Sequence, residues 1–457
     1  LKKVLLINPW IEDVAAYDFW LKPLGLLYIS SILKEAGIET YLIDLLYRHD
    51  PELEAFLGKQ VKDRYYGTGN FYSVEIEKPP VMKSIPRKFK RYGLPEELFR
   101  RKLRRHIDVD AIFVTSMMTY WYYGVSDTIR VIREELPDRP IVLGGVYTSI
   151  LPKHAALHSG ADLVAPGTGI TPLVSALEFL GMKANLNENF LEELEPDYSH
   201  YERLSYVVLI TSTGCPFRCD YCFSWKLWPA FKRCTPERIV NIIEKVYSER
   251  HIEDIVFFDD AILIGSEFKE LLKILAGKNL PLRFHLPNGL HARFIDEETA
   301  YLMKKVNFKT IRLGYETSNA ELQKKTGGKV TNLDLERAVS YLKNAGFSGK
   351  EVSAYIIANL PGQRVEDVEQ AINKCDELGI IPVINEFTPI PGTPQWQRLV
   401  NEGSLPEDID PLMLDNSLLP YWWNGGISEP ALRMLKEKAW RVRKMIENAE
   451  DLSRIWK

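Results

Sequence analysis

Thr213-Gly-Cys-Pro-Phe-Arg-Cys-Asp-Tyr-Cys-Phe-Ser224 holds three of the chain's five cysteines, Cys215, Cys219 and Cys222. A C-x3-C-x2-C run in a short loop brings three sulfurs to one centre. Soft thiolates select zinc, Cu(I) or an iron–sulfur cluster. A four-iron cluster takes one cysteine per corner, so three ligands leave one iron free for another partner. Gly214 and Pro216 bend the loop, and Tyr221 sets an aromatic ring beside the last cysteine. The alternative is a structural zinc site. Zinc closes with four ligands, and Cys234, twelve residues beyond Cys222, is the candidate fourth.

Working outward, Tyr206–Thr211 reads as an apolar strand that feeds the loop, and Pro236–Glu249 as a helix capped by the Thr235 hydroxyl. Five more strands follow, at Asp254–Asp260, Arg283–Asn288, Thr310–Glu316, Glu351–Ala358 and Pro382–Phe387. Six parallel strands with helices between them predict a partial (β/α) barrel, whose active residues sit at strand C-termini. Those termini carry Asp259-Asp260, Asn288 with His291 and Arg293, Glu316 with Ser318, Leu360-Pro361-Gly-Gln363, and Pro389–Thr393. A zinc module has no need of such a series, which favours the cluster. Each residue also has a plainer reading: the Asp pair as a helix cap, Glu316 as an ion-pair partner of Arg312 or Arg293, His291 as a polar surface residue. Cys375 reads as a packed helix residue, and Cys234 as buried.

The cysteine loop resembles the cluster loop of radical S-adenosylmethionine (SAM) enzymes, down to the aromatic before the third cysteine. The resemblance implies a [4Fe-4S] cluster on Cys215, Cys219 and Cys222. Its open iron would chelate the amino and carboxylate groups of SAM, and electron transfer would split SAM into methionine and a 5′-deoxyadenosyl radical. It also implies SAM contacts at Tyr221, at Asp259 and Asp260 near the methionine amino end, and at Asn288. Glu316 and Ser318 would hold the ribose or carboxylate, and the turn at Pro361 the adenine.

The first 185 residues alternate strand and helix. Strands are expected at Lys2–Pro9, Glu39–Asp44, Asp110–Thr115, Pro140–Gly145 and Leu163–Pro166, with helices at Pro23–Gly37 and Gly124–Glu135. This is a doubly wound, Rossmann-like α/β domain, in which ligands sit beyond the carboxyl ends of the strands. Those ends carry Asn8-Pro9-Trp10, Thr115-Ser116-Met117-Met118-Thr119 with Tyr120, Gly144-Gly145-Val146-Tyr147, and Gly167-Thr-Gly169. The plainer reading of the glycines is turn chemistry. The domain resembles the cobalamin-binding domain fused ahead of the cluster domain in one branch of the radical SAM family. The resemblance implies cobalamin held at these three strand ends. One departure stands out. Where histidine-ligating cobalamin domains carry D-x-H-x-x-G, this chain has Asn8-Pro-Trp-Ile-Glu-Asp-Val14, so histidine ligation of cobalt is not expected.

Residues 51–108 form an insertion. Its run from Lys83 to His106 holds ten Lys/Arg against Glu96 and Glu97. Pro95–His106 is expected as a helix with Phe99 and Leu103 on one face, either solvated or a collar contacting an anionic group. Asn185–Arg203 reads as a polar linker. Tyr421-Trp-Trp423 reads as a lid on the barrel mouth or as a core plug, and Pro430–Trp456 as one or two covering helices. The expected organisation is therefore 1–185 as the cobalamin-type domain, 200–400 as the partial (β/α)6 radical SAM barrel, and 401–457 as a C-terminal helical region.

Apolar content of 46% and charged content of 26% are those of a globular protein. A net charge of -4 points to no polyanionic partner such as nucleic acid. No apolar run is long enough to cross a bilayer, Val4–Pro9 is too short for a secretory signal, and a reduced cytoplasm suits thiolate ligands. The expected function is radical SAM chemistry with cobalamin-dependent methylation of an unactivated carbon. The alternatives are a non-methylating radical reaction, or a non-enzymatic zinc-binding protein. The resemblance further implies an electron donor such as flavodoxin or ferredoxin; the sequence does not name the substrate, which is a small molecule or a peptide.

Overall fold

The computed structural model describes residues 2–455, with side chains as far as residue 448. Two compact units emerge: one runs to Val207 and includes Asp410–Met413, the other takes Val208–Ile409 and continues from Leu414.

In the first unit the strands are β1 (Lys3–Asn8), β2 (Ile11–Asp13), β3 (Glu39–Asp44), β4 (Ser73–Glu75), β5 (Lys90–Tyr92), β6 (Ala111–Val114), β7 (Ile141–Leu143) and β8 (Leu163–Val164). Five of them form a parallel sheet in the order β3-β1-β6-β7-β8. The central strands β1, β6 and β7 are short and apolar because they are buried on both faces; Val4, Leu6, Phe113 and Val142 pack with Ile32 and Leu33 of the helix Leu24–Glu35. The order reverses direction between β1 and β6. That is the topological switch point where open α/β sheets bind ligands.

The insertion fills part of that end. β2 leaves β1 through Pro9-Trp10 and pairs antiparallel with β5, which pairs with β4. Trp10 is 1% exposed, its Nε1 donates to the Leu94 carbonyl at 2.7 Å, and its ring meets Phe99 edge-on at 5.1 Å. The basic run forms the helix Glu96–Leu103, with Phe99 and Leu103 buried as expected. Its cations are neither simply solvated nor left for an anionic ligand. Arg100 pairs with Glu96, Glu134 and Glu135, Arg104 with Glu135, Lys102 with Asp50 and Glu52, and Arg101 and Arg105 with Glu52. Most of these pairs are partly exposed, and each of those contributes at most about 1 kcal/mol; their effect is to neutralise the cations of the helix.

The expected linker is also corrected. Asp197 and His200 share the Ser30 hydroxyl, and the Tyr201 hydroxyl donates to Asp44 at 2.7 Å. Lys22 lies over the rings of Tyr47, Tyr201 and Tyr206. Two tyrosines in this stretch, Tyr198 and Tyr201, are buried, so a polar-looking segment is part of the unit's core.

The second unit is built on a parallel sheet of β9 (Val207–Leu209), β12 (Asp254–Phe257), β13 (Arg283–Leu290), β14 (Phe308–Glu316), β15 (Val352–Ala358) and β16 (Ile381–Glu386), with β10 (Ser212–Thr213) and β11 (Lys232–Arg233) as a small antiparallel pair beside it. The six strands stand in sequence order with β9 and β16 at the edges, the arc of a partial (β/α)6 barrel. Phe257, Phe284 and Phe308 stack across neighbouring strands. At the amino ends of the strands, His285 bridges Asp254 at 2.9 Å and Thr310 at 3.0 Å, a buried ladder that pins three strands together.

Thr235 occupies the N-cap position of the helix Pro236–Arg250, but its side chain makes no capping bond. Trp423 is a core plug: it packs with Leu360, Phe387 and Trp396, and its Nε1 donates to the Ser404 carbonyl. A single long helix, Glu429–Ile455, ends the described chain; Trp456, expected in that helix, lies outside the described residues. Among the described residues no helix is long and apolar enough to cross a membrane.

Candidate functional site

The cysteine loop leaves β10 at Gly214, whose φ of +79° requires glycine; a Cβ there would stand 3.0 Å from the carbonyls of Trp228 and Ala230. The loop is tightened by the Cys222 amide donating to the Cys219 carbonyl at 3.1 Å. Gly327, at φ +119°, packs directly on Cys219, where a Cβ would come within 3.0 Å of its Cα. Cys215, Cys219 and Cys222 all line one cavity of about 460 Å³, at the carboxyl ends of the barrel strands.

The walls come from the ends of several strands. Asp260, Asn288, Glu316 and Tyr221 line the cavity, as expected of site residues, together with Tyr355, Ile357 and Phe387. The Asn288 amide donates to the carbonyls of Phe258 and Asp259, which ties the end of β13 to the end of β12. Asp260 stands at the exposed rim; the surrounding wall pushes its carboxyl up to about 6, a direction that the residue's exposure moderates. Glu316 sits in the left-handed region at φ +65° and meets Lys329 at 2.5 Å, not Arg312 or Arg293. His291 is 4% exposed, lines the cavity and stacks on Phe217 at 4.8 Å, so it is no surface residue. Burial, reinforced by Lys329 and Arg293, drives its pKa down to about 3 and leaves it neutral.

Three expected residues stand away from the cavity lining. Asp259 accepts from the Thr211 amide and from the hydroxyls of Thr211 and Ser212, so it locks the end of β9 rather than capping a helix. Burial pushes its carboxyl up against those bonds. The Ser318 hydroxyl donates to the Asp367 carbonyl, and Pro361 belongs to the turn that Gly362 closes at φ +78°. Conversely, Lys329 was missed. Its signal was Gly327-Gly-Lys329: two glycines that let the chain lie on Cys219 and deliver a cation into the cavity.

The donor set suits a cluster. Burial pushes the Cys219 thiol up to about 11, and the Cys215 thiol up as well, with Lys329 pulling Cys219 down; bound metal would turn both into thiolates. Among the described residues no three His, Cys, Asp or Glu side chains already close on a single point as ligands of one ion. Three thiols lining one cavity are the ligand number that leaves one corner of a four-iron cluster open. Cys234, the candidate fourth zinc ligand, is buried, its amide donates to the Thr211 carbonyl, and it is not among the residues lining the cavity.

In the first unit the three expected strand-end loops lie beyond β6, β7 and β8, and two of them are stitched together. The Ser116 hydroxyl donates to the Gly144 carbonyl at 2.6 Å, and the Val146 amide donates to the Ser116 carbonyl at 2.8 Å. At Gly145, φ is +103° and a Cβ would stand 2.2 Å from the Ser116 carbonyl oxygen, so this glycine serves the loop's own packing. Ser149 links Gly145 to Gly167, which at φ +110° is exposed, as is Gly169 at φ +67°. Thr115 and Tyr120 are half-buried, Thr119 and Tyr147 buried. Met117 and Met118 are 38% and 39% exposed, an apolar pair past the end of β6. At the switch point itself Asn8, Trp10, Lys22, Met117 and Trp121 enclose only about 30 Å³. A larger cavity of about 950 Å³ lies against Ile76, Phe89 and the helix Tyr122–Glu135, away from these loops.

Residues 209–375 match the Radical SAM superfamily. The anaerobic magnesium-protoporphyrin IX monomethyl ester cyclase of Cereibacter sphaeroides is 23% identical over 329 residues, 63% of this chain and 53% of the relative. The hopanoid C-2 methylase of Rhodopseudomonas palustris is 26% identical over 336 residues, 68% of this chain and 61% of the relative. This chain thus spans about half the length of the cyclases it matches. The radical S-adenosylmethionine methyltransferase TsrM from Kitasatospora setae, solved with cobalamin and a [4Fe-4S] cluster bound, superposes with a TM-score of 0.63 at 16% identity, over 88% of this chain and 75% of that one. The shared fold covers both units, and the similarity to the Radical SAM superfamily lies over residues 209–375.

Proposed function

We propose that the chain is a radical SAM enzyme that methylates an unactivated carbon with the help of cobalamin. One observation carries the radical SAM part: Cys215, Cys219 and Cys222 open into a single cavity at the strand ends, beside a buried carboxylate and a lysine. A [4Fe-4S] cluster on these thiolates would supply one electron and a coordination position, which together cleave SAM to the 5′-deoxyadenosyl radical. The residues supply the rest. Lys329 and Glu316 present fixed charges of both signs to a zwitterionic amino-acid group. Tyr221, Ile357 and Phe387 wall the cavity with apolar surface and shield a reactive species from water. His291, held neutral, offers no proton at ordinary pH.

For cobalamin, Met117 and Met118 offer exposed apolar surface beyond β6, and the exposed Gly167 and Gly169 allow close approach of a ligand to backbone. Bound there, cobalamin would supply a transferable methyl group. The chain after β1 brings no histidine to it: Trp10 is buried, and β2 is paired with β5. Cytoplasmic location and a dedicated electron donor complete the proposal. The cyclase relatives favour one second reading, a radical reaction without methyl transfer.

Anaerobic reconstitution with iron, sulfide and hydroxocobalamin tests this. The expected result is an absorption band near about 400 nm, formation of 5′-deoxyadenosine from SAM, and one cobalt per chain. A cluster without cobalt selects the non-methylating reading. One zinc per chain, with neither iron nor sulfide taken up, overturns both.

A further inference from the structure

The outer face of the cysteine loop carries a device that cluster binding does not need. Two cations lie over Trp225: the Arg218 guanidinium is 5.7 Å and the Lys226 ammonium 5.3 Å from its ring centroid. Its Nε1 donates to the Cys219 carbonyl at 3.4 Å. The ring is half-buried, while Arg218 and Lys226 are exposed. The short helix that leads into Gly327, the residue resting on Cys219, exposes Lys324 and Lys325 as well. Among the described residues none of these four cations is ion-paired with a carboxylate; Lys226 bonds only the Gly392 carbonyl, and Glu321 is the acid on the same short helix. That sets the four apart from the basic run of the insertion, whose helix cations are neutralised.

From this we infer a docking surface for an acidic one-electron carrier protein, centred on Arg218, Trp225 and Lys226. It rests on the cluster reading of Cys215, Cys219 and Cys222. Unpaired cations steer an acidic partner and raise its encounter rate. Trp225 gives the partner a flat aromatic contact, and its bond to Cys219 gives the electron a short route through bonded atoms to a cluster ligand. The step moves one electron from the reduced carrier to the cluster, with no bond made or broken and no proton required.

The test compares two reductants on the reconstituted full chain: reduced flavodoxin, which is acidic, and reduced methyl viologen, a small cation. Reduction is followed as bleaching of the cluster band. For the R218E/K226E variant the expected result is a loss of about tenfold or more in the flavodoxin rate at low salt, with the methyl viologen rate not reduced. In the unaltered chain the flavodoxin rate should fall steeply with added salt, and the methyl viologen rate should not. The salt series decides the matter if the variant loads its cluster poorly. Flavodoxin rates indifferent to both the charge reversal and salt overturn the docking surface. An unaltered chain with no band for methyl viologen to bleach overturns the cluster reading beneath it, a separate result.

Discussion

The two parallel sheets end differently. In the second unit the carboxyl ends open onto about 460 Å³ edged by three thiols, the carboxylates of Asp260, Glu316 and Glu386, and the Lys329 ammonium. In the first, the crevice at the switch point is reduced to about 30 Å³, because Trp10, Ile11, Lys22, Met117 and Trp121 close on it. Strand ends in a parallel sheet are places where a site is permitted. Whether one is open depends on the next few residues. After β10, Gly214 turns the chain so that cysteines face inward; after β1, Pro9-Trp10 carries the chain into an antiparallel pairing.

The strongest way to break this contrast is C219A. It should remove the absorption near about 400 nm and lower 5′-deoxyadenosine formation by at least about 100-fold, with the first unit's fold unchanged by circular dichroism. Retained SAM cleavage would undo the assignment of the second unit's cavity. For the first unit, Gly145→Ala forces a Cβ to 2.2 Å from a backbone oxygen at positive φ, and should destabilise it by about 3 kcal/mol in denaturant melts. Gly144→Ala, whose nearest neighbour is 3.7 Å away, should change stability by about 1 kcal/mol or less. Equal effects would show that the two loops are not stitched as described.

Next in size, Lys329→Met leaves the Glu316 carboxylate without its partner and should weaken SAM binding about tenfold by calorimetry; unchanged affinity would remove Lys329 from the site. Acid should then separate the units by a smaller effect. His291 in the fold titrates at about 3, well below an unfolded histidine. The unfolded chain therefore takes up the proton first, and the associated stability is full above about pH 6.5 and declines as pH falls from there towards the folded value. His291→Phe, which keeps the stack on Phe217, should flatten that decline in melts between pH 7 and 5. The smallest effect belongs to the first unit's surface. Met117→Ser with Met118→Ser should lower cobalt content several-fold after reconstitution, the scale of about 1–2 kcal/mol of apolar burial.

Much of the fold was legible because parallel strands are short apolar runs with glycine or proline at their ends, and each expected strand of both sheets is present within a few residues. The linker was misread because Tyr198 and Tyr201 are polar at one atom only; their rings are buried, and the Tyr201 hydroxyl is satisfied by Asp44. The basic run was misread because its carboxylate partners, Glu52, Glu134 and Glu135, are distant in sequence.

By itself the sequence determined the spacing of three thiols, a local property, as are the strand-end positions of Asp260, Asn288 and Glu316. Only the tertiary structure decided which residues complete the cavity. Lys329 reaches Glu316 because Gly327 lies on Cys219, while Asp259 and Ser318 turn to backbone partners. A local pattern states what a side chain can do, but its partner is set by packing between segments far apart in the chain, which no spacing records.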